Sequence, residues 1–530
     1  MNRTCTWIAL ITIALVITVA LTLAGTQITR ASPPAQAADG KAIYTQRCEV
    51  CHGAEGNGNG PAATNLDPKP RDFRRGWYKI RTTASGQLPT DDDLVQVIAN
   101  GMPGTTMPAW KGVLSDEEMR AVATYIKSFA SRFERETPAL IAFGSKVTSS
   151  SESIARGKEI FEGQAAECVK CHGDAGRGDG PSADELTDDF DNVIVPADLT
   201  MPWLFRGGAT ADDIYRRLKT GLTGSPMPSY ADVLLDDQVW DVANYVDSLG
   251  PDAPPELQAS ITAARVQGAI PADANAAEWQ SATEYYIPLV GQIMRELRNY
   301  TPSIKGVWAR ALYNESELAL LLRWHDRFQD TGAPSPAGGG AGGGTADALA
   351  VQFPAQLPAG DERPYFVFGD SAHPVNLWTW SAAANPSTGS PLPSVGDFAG
   401  QAPERSRTVE ERDGTGSDSV SAQVTQNAQG AASFADGEYT LIVQRALDTG
   451  DAQDIKFETG KFIPIAIAAW DGWRGEQDAA GAISSWYSIY LSEPVPITRY
   501  VWVPAAMIVT AVLEWLVVRA VRRGNVKRET

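Results

Sequence analysis

Cys48-Glu-Val-Cys51-His52 and Cys168-Val-Lys-Cys171-His172 decide how this chain is read. Each stretch holds two thiols separated by two residues, with an imidazole immediately after the second. At this spacing both vinyl groups of one haem are captured as thioethers, and the adjacent histidine supplies a ligand to the iron. A single C-x-x-C pair also fits a redox dithiol or half of a zinc site. The immediate histidine and the duplication argue against both. The fifth cysteine, Cys5, lies at the N-terminus.

The motifs belong to an internal repeat with an offset of 120 residues, Cys48 to Cys168. Met107 in Thr-Met-Pro-Ala-Trp and Met227 in Pro-Met-Pro-Ser-Tyr keep that offset, each 55 residues after its histidine. Glycine-rich stretches, 53–60 and 173–180, follow the two histidines and end in Gly-Pro. Such self-similarity marks two copies of one domain, placed at 38–135 and 150–252. Helices are expected over 40–46, 91–98 and 115–129, with counterparts at 154–161, 211–219 and 236–249. Ser115 with Glu118 fits a capping box. His52 and His172 are the expected proximal ligands, Met107 and Met227 the distal ones. A thioether ligand raises the potential of the iron. Met102 competes with Met107, but its counterpart in the second copy is Leu222.

The 530-residue chain carries 45 basic and 64 acidic residues, a formal charge of −19. No basic face suits a nucleic acid partner. Residues 1–37 read as an export signal or, because the apolar run 7–24 is long, an N-terminal anchor. A second apolar run, 500–521, is followed by Arg519, Arg522, Arg523, Lys527 and Arg528. It reads as a transmembrane helix with the tail in the cytoplasm and the body in the periplasm of a bacterial inner membrane, although Glu514 interrupts it.

From about residue 270 the pattern turns to short alternating segments. Strands are expected over 286–293, 305–311, 318–324, 348–353, 365–368, 375–380, 439–446, 462–469 and 484–491. The Gly-rich insert 332–347 and the polar stretch 386–430 read as loops. The expected fold is therefore multidomain: two all-α domains, a mainly-β sandwich at 270–495, and a C-terminal transmembrane helix. Asn314-Glu315-Ser316 carries no reading without a eukaryotic context, and Trp470-Asp471-Gly472 reads as a turn after a strand.

The α repeats, with PRDFRRGWYKIRTT at 70–83 and ADLTMPWLFRGG at 197–208, resemble tandem dihaem members of the class I cytochrome c family. The β region resembles the haem b-binding gamma subunit of ethylbenzene dehydrogenase and its dimethylsulfide dehydrogenase, chlorate reductase and selenate reductase relatives. The strings that carry this are ALAVQFP at 348–354, PVNLWTWSA at 374–382, IPIAIAAWDGWRGE at 463–476 and SSWYSIYL at 484–491. That resemblance implies a Met and a Lys as axial ligands to a non-covalent haem b. Here Val367-Phe368-Gly369 stands where the Met is expected, and 475–483 contains no Lys. His373, Lys461 and His325 are the substitutes.

Two covalent haems c are expected, with haem b as the disfavoured addition. The resemblance implies a periplasmic electron relay between a redox enzyme and the respiratory chain. The enzyme would be of the molybdopterin dimethylsulfoxide reductase type with an iron–sulfur subunit. The other partner would be a soluble cytochrome, a quinol-oxidising complex or a terminal oxidase. The alternatives are a dihaem peroxidase-like enzyme and a trihaem subunit.

Overall fold

The computed structural model describes residues 38–66, 68–192, 194–300, 302–332, 345–360, 362–383, 409–416, 419–492 and 498–526. The expected N-terminal signal, most of the Gly-rich insert and 384–408 lie outside these residues.

The first α unit is built on helices Gly40–Arg47, Asp91–Asn100 and Asp116–Lys127. The second repeats them as Ser151–Glu162, Ala211–Thr220 and Asp236–Asp247. Thr90 and Ser115 close full capping boxes with Asp93 and Glu118, satisfying N–H groups that the first turn of a helix leaves unpaired. In both units the first and last helices cross at a glycine. A methyl on Gly40 would meet the Ala121 carbonyl oxygen at 2.1 Å, and one on Gly157 would meet that of Asp241 at 2.0 Å. No larger residue permits this approach.

Each unit has its own core. Tyr44, Leu94, Ile98, Met119 and Val122 fill the first; Phe161, Ile214, Leu218, Trp240 and Val246 fill the second. The fully buried Arg81 ties them together by donating to the Thr220 carbonyl at 2.6 Å.

The β domain holds fourteen strands among the described residues, hydrogen-bonded into one network, with β2, β3 and β13 off its main path. They are β1 Ser260–Arg265, β2 Tyr285–Pro288, β3 Val290–Gly291, β4 Gly306–Tyr313, β5 Glu317–His325, β6 Ala348–Pro354 and β7 Val375–Ser381. The remainder are β8 Val409–Gly414, β9 Val420–Ala422, β10 Gln429–Ala435, β11 Glu438–Ala446, β12 Phe462–Trp470, β13 Ala482–Ile483 and β14 Tyr487–Leu491. The main path runs β10-β11-β5-β4-β1-β14-β12-β6-β7-β8-β9.

The two wings of this path face each other. Trp324 on β5 and Tyr439 on β11 meet Trp380 on β7, with ring centroids 5.5 and 5.0 Å apart. The buried Arg445 of β11 reaches Glu411 of β8 at 3.3 Å and donates to Asn376 Oδ1 of β7 at 3.0 Å. One apolar core receives side chains from both wings, the arrangement of a sandwich.

The sheet departs from the sequence expectation in three places. β1 precedes the expected boundary at 270 and pairs in parallel with β14 and β4. Residues 365–368 form a turn, with Phe368 at φ +61°. Part of the expected loop 386–430 is strand (β8, β9 and the start of β10), because alternate side chains such as Val409 and Glu411 face the core.

The expected membrane span lies in one helix, Thr498–Val526, which contains Pro504, Glu514 and Arg519. Among the described residues no helix is long and apolar enough to cross a membrane. Trp502, Ile508 and Trp515 on it are nevertheless 71, 64 and 56 % exposed.

Candidate functional site

A cavity of about 980 Å³ runs through both α units and reaches the β domain. Cys48, Cys51, His52 and Met107 line it in the first unit, Cys168, Cys171, His172 and Met227 in the second. The structure thus gathers every residue singled out from the repeat onto one continuous space. Its volume lies at the top of the ~300–1,000 Å³ range of small-molecule sites.

Each motif sits on a single helical turn, Glu49–His52 or Val169–His172, opened by the first cysteine. The glycine-rich loop folds back under it. Gly58 donates to the His52 carbonyl at 2.9 Å and Gly178 to that of His172 at 2.8 Å. A methyl on Gly60 would sit 2.4 Å from the Val50 carbonyl oxygen, and one on Gly180 2.4 Å from that of Val169. This is why the loop is glycine-rich at those points.

The two imidazoles are prepared alike. His52 Nδ1 donates to the Arg71 carbonyl at 3.1 Å, and His172 Nδ1 to the Ala197 carbonyl at 3.1 Å. Burial pushes both rings below the usual imidazole range, against the opposing effect of those hydrogen bonds. A neutral ring whose Nδ1 carries the proton keeps a lone pair on Nε2, the state a metal ligand requires.

The thiols point the same way. Burial pushes Cys48 and Cys168 up to about 11. A nucleophilic dithiol needs the opposite shift. Paired thiols, an oriented imidazole and a thioether on one cavity fit a haem held covalently through the cysteines, with His and Met as the iron donors.

On the distal side the turns repeat as well. Met102 N–H donates to the Met107 carbonyl at 3.0 Å, and Leu222 N–H to the Met227 carbonyl at 3.1 Å. Met102 and Met107 both line the cavity, so geometry alone leaves the rival in place. The repeat, which puts Leu222 opposite Met102, separates them.

Several residues at this site were given no role at it from the sequence. The proximal carbonyls come from Pro70-Arg71-Asp72-Phe73 and Pro196-Ala197-Asp198-Leu199, a matched pair displaced by six residues from the main repeat. A search for Pro-x-Asp with the proline 18 to 24 residues after each histidine finds them. Lys79, between the units, is pushed down to about 8 by burial and by Arg71 and Arg206. From the β domain, Lys305, Arg327 and Arg474 also line the cavity, beside His325, which the sequence did single out.

The substitutes considered for a haem b are not brought together. His373 lies in a turn, its side chain 39 % exposed, beside Asp370 and Glu362. Lys461 pairs with Glu458 at 2.6 Å on the surface. His325 instead bridges the second α unit and the sheet: Nδ1 meets Asp198 Oδ2 at 2.5 Å and Nε2 meets Glu438 Oε2 at 3.4 Å. Asp471 follows β12 as expected of a turn residue, and its carboxylate lies within 4.8 Å of those of Asp326 and Asp347. Burial and mutual repulsion hold Asp326 and Asp347 well above the usual carboxylate range.

The bridge is pH-sensitive. Burial alone lowers His325, but its hydrogen bonds to Asp198 and Glu438 outweigh this and the net shift is upward, against opposition from Arg177. Burial raises Asp198, yet the bond and charge of His325 outweigh it and the net shift is downward. A raised His stabilises fully below its unfolded value near 6.5 and loses that contribution as pH rises through its folded value. A lowered Asp stabilises above its unfolded value near 3.9 and loses that contribution on acidification. The bridge is therefore strongest between about pH 4 and 6.5. Melting curves at pH 6 and pH 9 should show a larger loss for the unmodified chain than for His325→Leu. Equal losses would remove the bridge as their cause.

Comparison with known proteins bears on the same residues. Residues 35–126 match the family model of cytochrome c oxidase, cbb3-type, subunit III, and residues 154–250 match that of cytochrome c. The chain thus carries two cytochrome c domains, which point to covalent haem c, followed by a mainly-β domain.

Among its relatives is a thiosulfate dehydrogenase electron acceptor of Stutzerimonas stutzeri, 28 % identical over 43 % of this chain and 94 % of the relative. Another is the chlorate reductase subunit gamma of Ideonella dechloratans, 23 % identical over 45 % of this chain and 87 % of the relative. A chain of the Kuenenia stuttgartiensis reducing HAO-like protein complex is 44 % identical, covering 40 % of this chain and 96 % of that one, with a TM-score of 0.39. The chain spans about three fifths of the length of several other curated relatives that it matches.

Proposed function

We propose that this chain, with its two cytochrome c domains, is an exported, membrane-attached electron relay carrying two covalent haems. The observation that carries the reading is the duplicated set of two thiols, a carbonyl-oriented histidine and a methionine on one continuous cavity. Cys48 and Cys51 attach one haem, Cys168 and Cys171 the other. His52 and Met107 would hold one iron, and His172 and Met227 the other. Haem held this way supplies a one-electron Fe(III)/Fe(II) couple.

The residues do the rest. Arg71 and Ala197 carbonyls fix the histidine rings. Phe73 stacks on His52, centroids 4.5 Å apart, and excludes water from that face. With both a histidine and a methionine holding each iron, no position would remain for a substrate, which favours transfer over turnover. Names such as electron acceptor and reductase subunit among the relatives support a redox enzyme as one partner. We read that enzyme as one with molybdopterin and iron–sulfur subunits, and the other partner as a component of the respiratory chain. Exposed Trp502, Ile508 and Trp515 demand an apolar cover. We therefore assign attachment to the bacterial inner membrane to the helix Thr498–Val526, with the body periplasmic.

Anaerobic reductive titration checks the relay. The chain should take up two electrons through covalent haem and show no turnover with hydrogen peroxide. Sustained peroxide consumption would instead establish the peroxidase-like alternative.

A further inference from the structure

The two proximal loops are held differently. In the first unit, Asp72 follows the carbonyl that orients His52 and is bound locally, by Arg74 at 2.8 Å on the surface. In the second, three successive residues are each engaged. Pro196 carbonyl accepts from Arg327 at 3.4 Å, Ala197 carbonyl from His172 at 3.1 Å, and Asp198 carboxylate meets His325 at 2.5 Å. Both outer partners come from the end of β5 and the residues just beyond it.

Further contacts fix this grip. Arg177, on the loop after His172, donates to the Asp436 carbonyl at 2.5 Å and pairs with Glu438. The Trp308 ring packs on His325, centroids 4.7 Å apart. Trp203 meets Tyr286 edge-on at 5.9 Å. Arg327 Nε is buried without a hydrogen-bond partner, next to Gly178, where an added methyl would lie 3.3 Å from it. Gly178 in turn donates to the His172 carbonyl.

We propose that the β domain is a clamp on the second proximal loop: His325 and Arg327 are positioning residues for His172, so the second centre takes its potential from the β domain while the first does not. This rests on the haem reading above. The charges set the sign. His325 and Arg327 place positive charge, or a donor to Asp198, beside the ligand histidine. Positive charge close to the iron disfavours the ferric state. Removing either group leaves the Asp198 carboxylate or the loop less compensated, which favours ferric iron and lowers the potential.

The test is a spectroelectrochemical titration of the full chain, with the second centre identified by its absence from Cys168→Ser/Cys171→Ser. His325→Leu and Arg327→Gln should each lower the reduced-to-oxidised ratio of the second centre about tenfold at fixed potential, about 59 mV for a one-electron couple. The first centre should stay put. Arg74→Leu should move only the first. His325→Gln, which keeps a donor for Asp198, should restore most of the loss. An unmoved second centre in both β-domain variants, or equal movement of both centres, overturns the clamp. Intact mass of the unmodified chain reports on the underlying reading separately: fewer than two covalent haems sinks that reading, whatever the potentials do.

Discussion

Replacing Cys168 and Cys171 together by serine should halve the covalent haem of the chain and leave the first centre spectrally unchanged. A hydroxyl does not form the thioether that holds the group, and the first unit attaches its own through Cys48 and Cys51. The loss is structural as well as chromophoric. In the second unit Phe161, Leu199, Ile214, Leu218, Tyr230, Val242 and Val246 line the cavity. Without an occupant these apolar side chains face a void, and unfilled core volume costs about 24 cal/mol per Å³ in a well-studied reference protein. The second unit should therefore melt well before the first. Intact mass reads the haem count, and thermal melting followed at the haem and in the far ultraviolet reads the stability. Retention of both haems in the double variant would mean that the second motif does not attach one.

Met107→Leu should open one iron, whereas Met102→Leu should not. The exchange conserves volume and usually costs less than about 1.5 kcal/mol, so packing around the turn survives while the sulfur ligand is lost. One of two ferrous irons should then bind carbon monoxide, and its potential should fall, because a thioether favours the reduced state. Met102→Leu reproduces what the second unit already has at Leu222. It should leave both irons six-coordinate and both potentials in place. Carbon monoxide binding after Met102→Leu would reverse the ligand assignment despite the repeat.

The α units were legible because their constraints are local and duplicated. The 120-residue offset aligns cysteines, histidines, glycines and methionines at once, and every helix of the repeat was placed within a few residues. Its one irregularity, the displaced Pro-x-Asp loop, was also the one proximal feature missed. A carbonyl acceptor leaves no side-chain signature, so only the flanking proline and aspartate mark it.

The β domain was less legible. Strands β5, β6, β7 and β12 stand out as apolar runs because most of both faces is buried, and β4 and β11 because every second side chain is. By contrast, β8 and β10 read as loop because Glu411, Arg412, Gln429 and Ser433 mask their alternation. Glu411 is in fact buried and meets Arg445 across the sandwich. No local rule predicts such a pairing between strands 34 residues apart. His325 is a similar case. The sequence offers it as a surface residue or a substitute ligand for a disfavoured haem b, but its partner Asp198 lies 127 residues away, so its role depends on how the domains dock.

The most direct measurement is a haem count by type on the unmodified chain, matured where c-type attachment is intact. Intact mass should exceed that of the processed polypeptide by two haems, and acid–acetone extraction should leave the pyridine haemochrome signal wholly with the protein. One covalent haem or none, with the cysteines alkylatable as free thiols, would contradict the account at its centre.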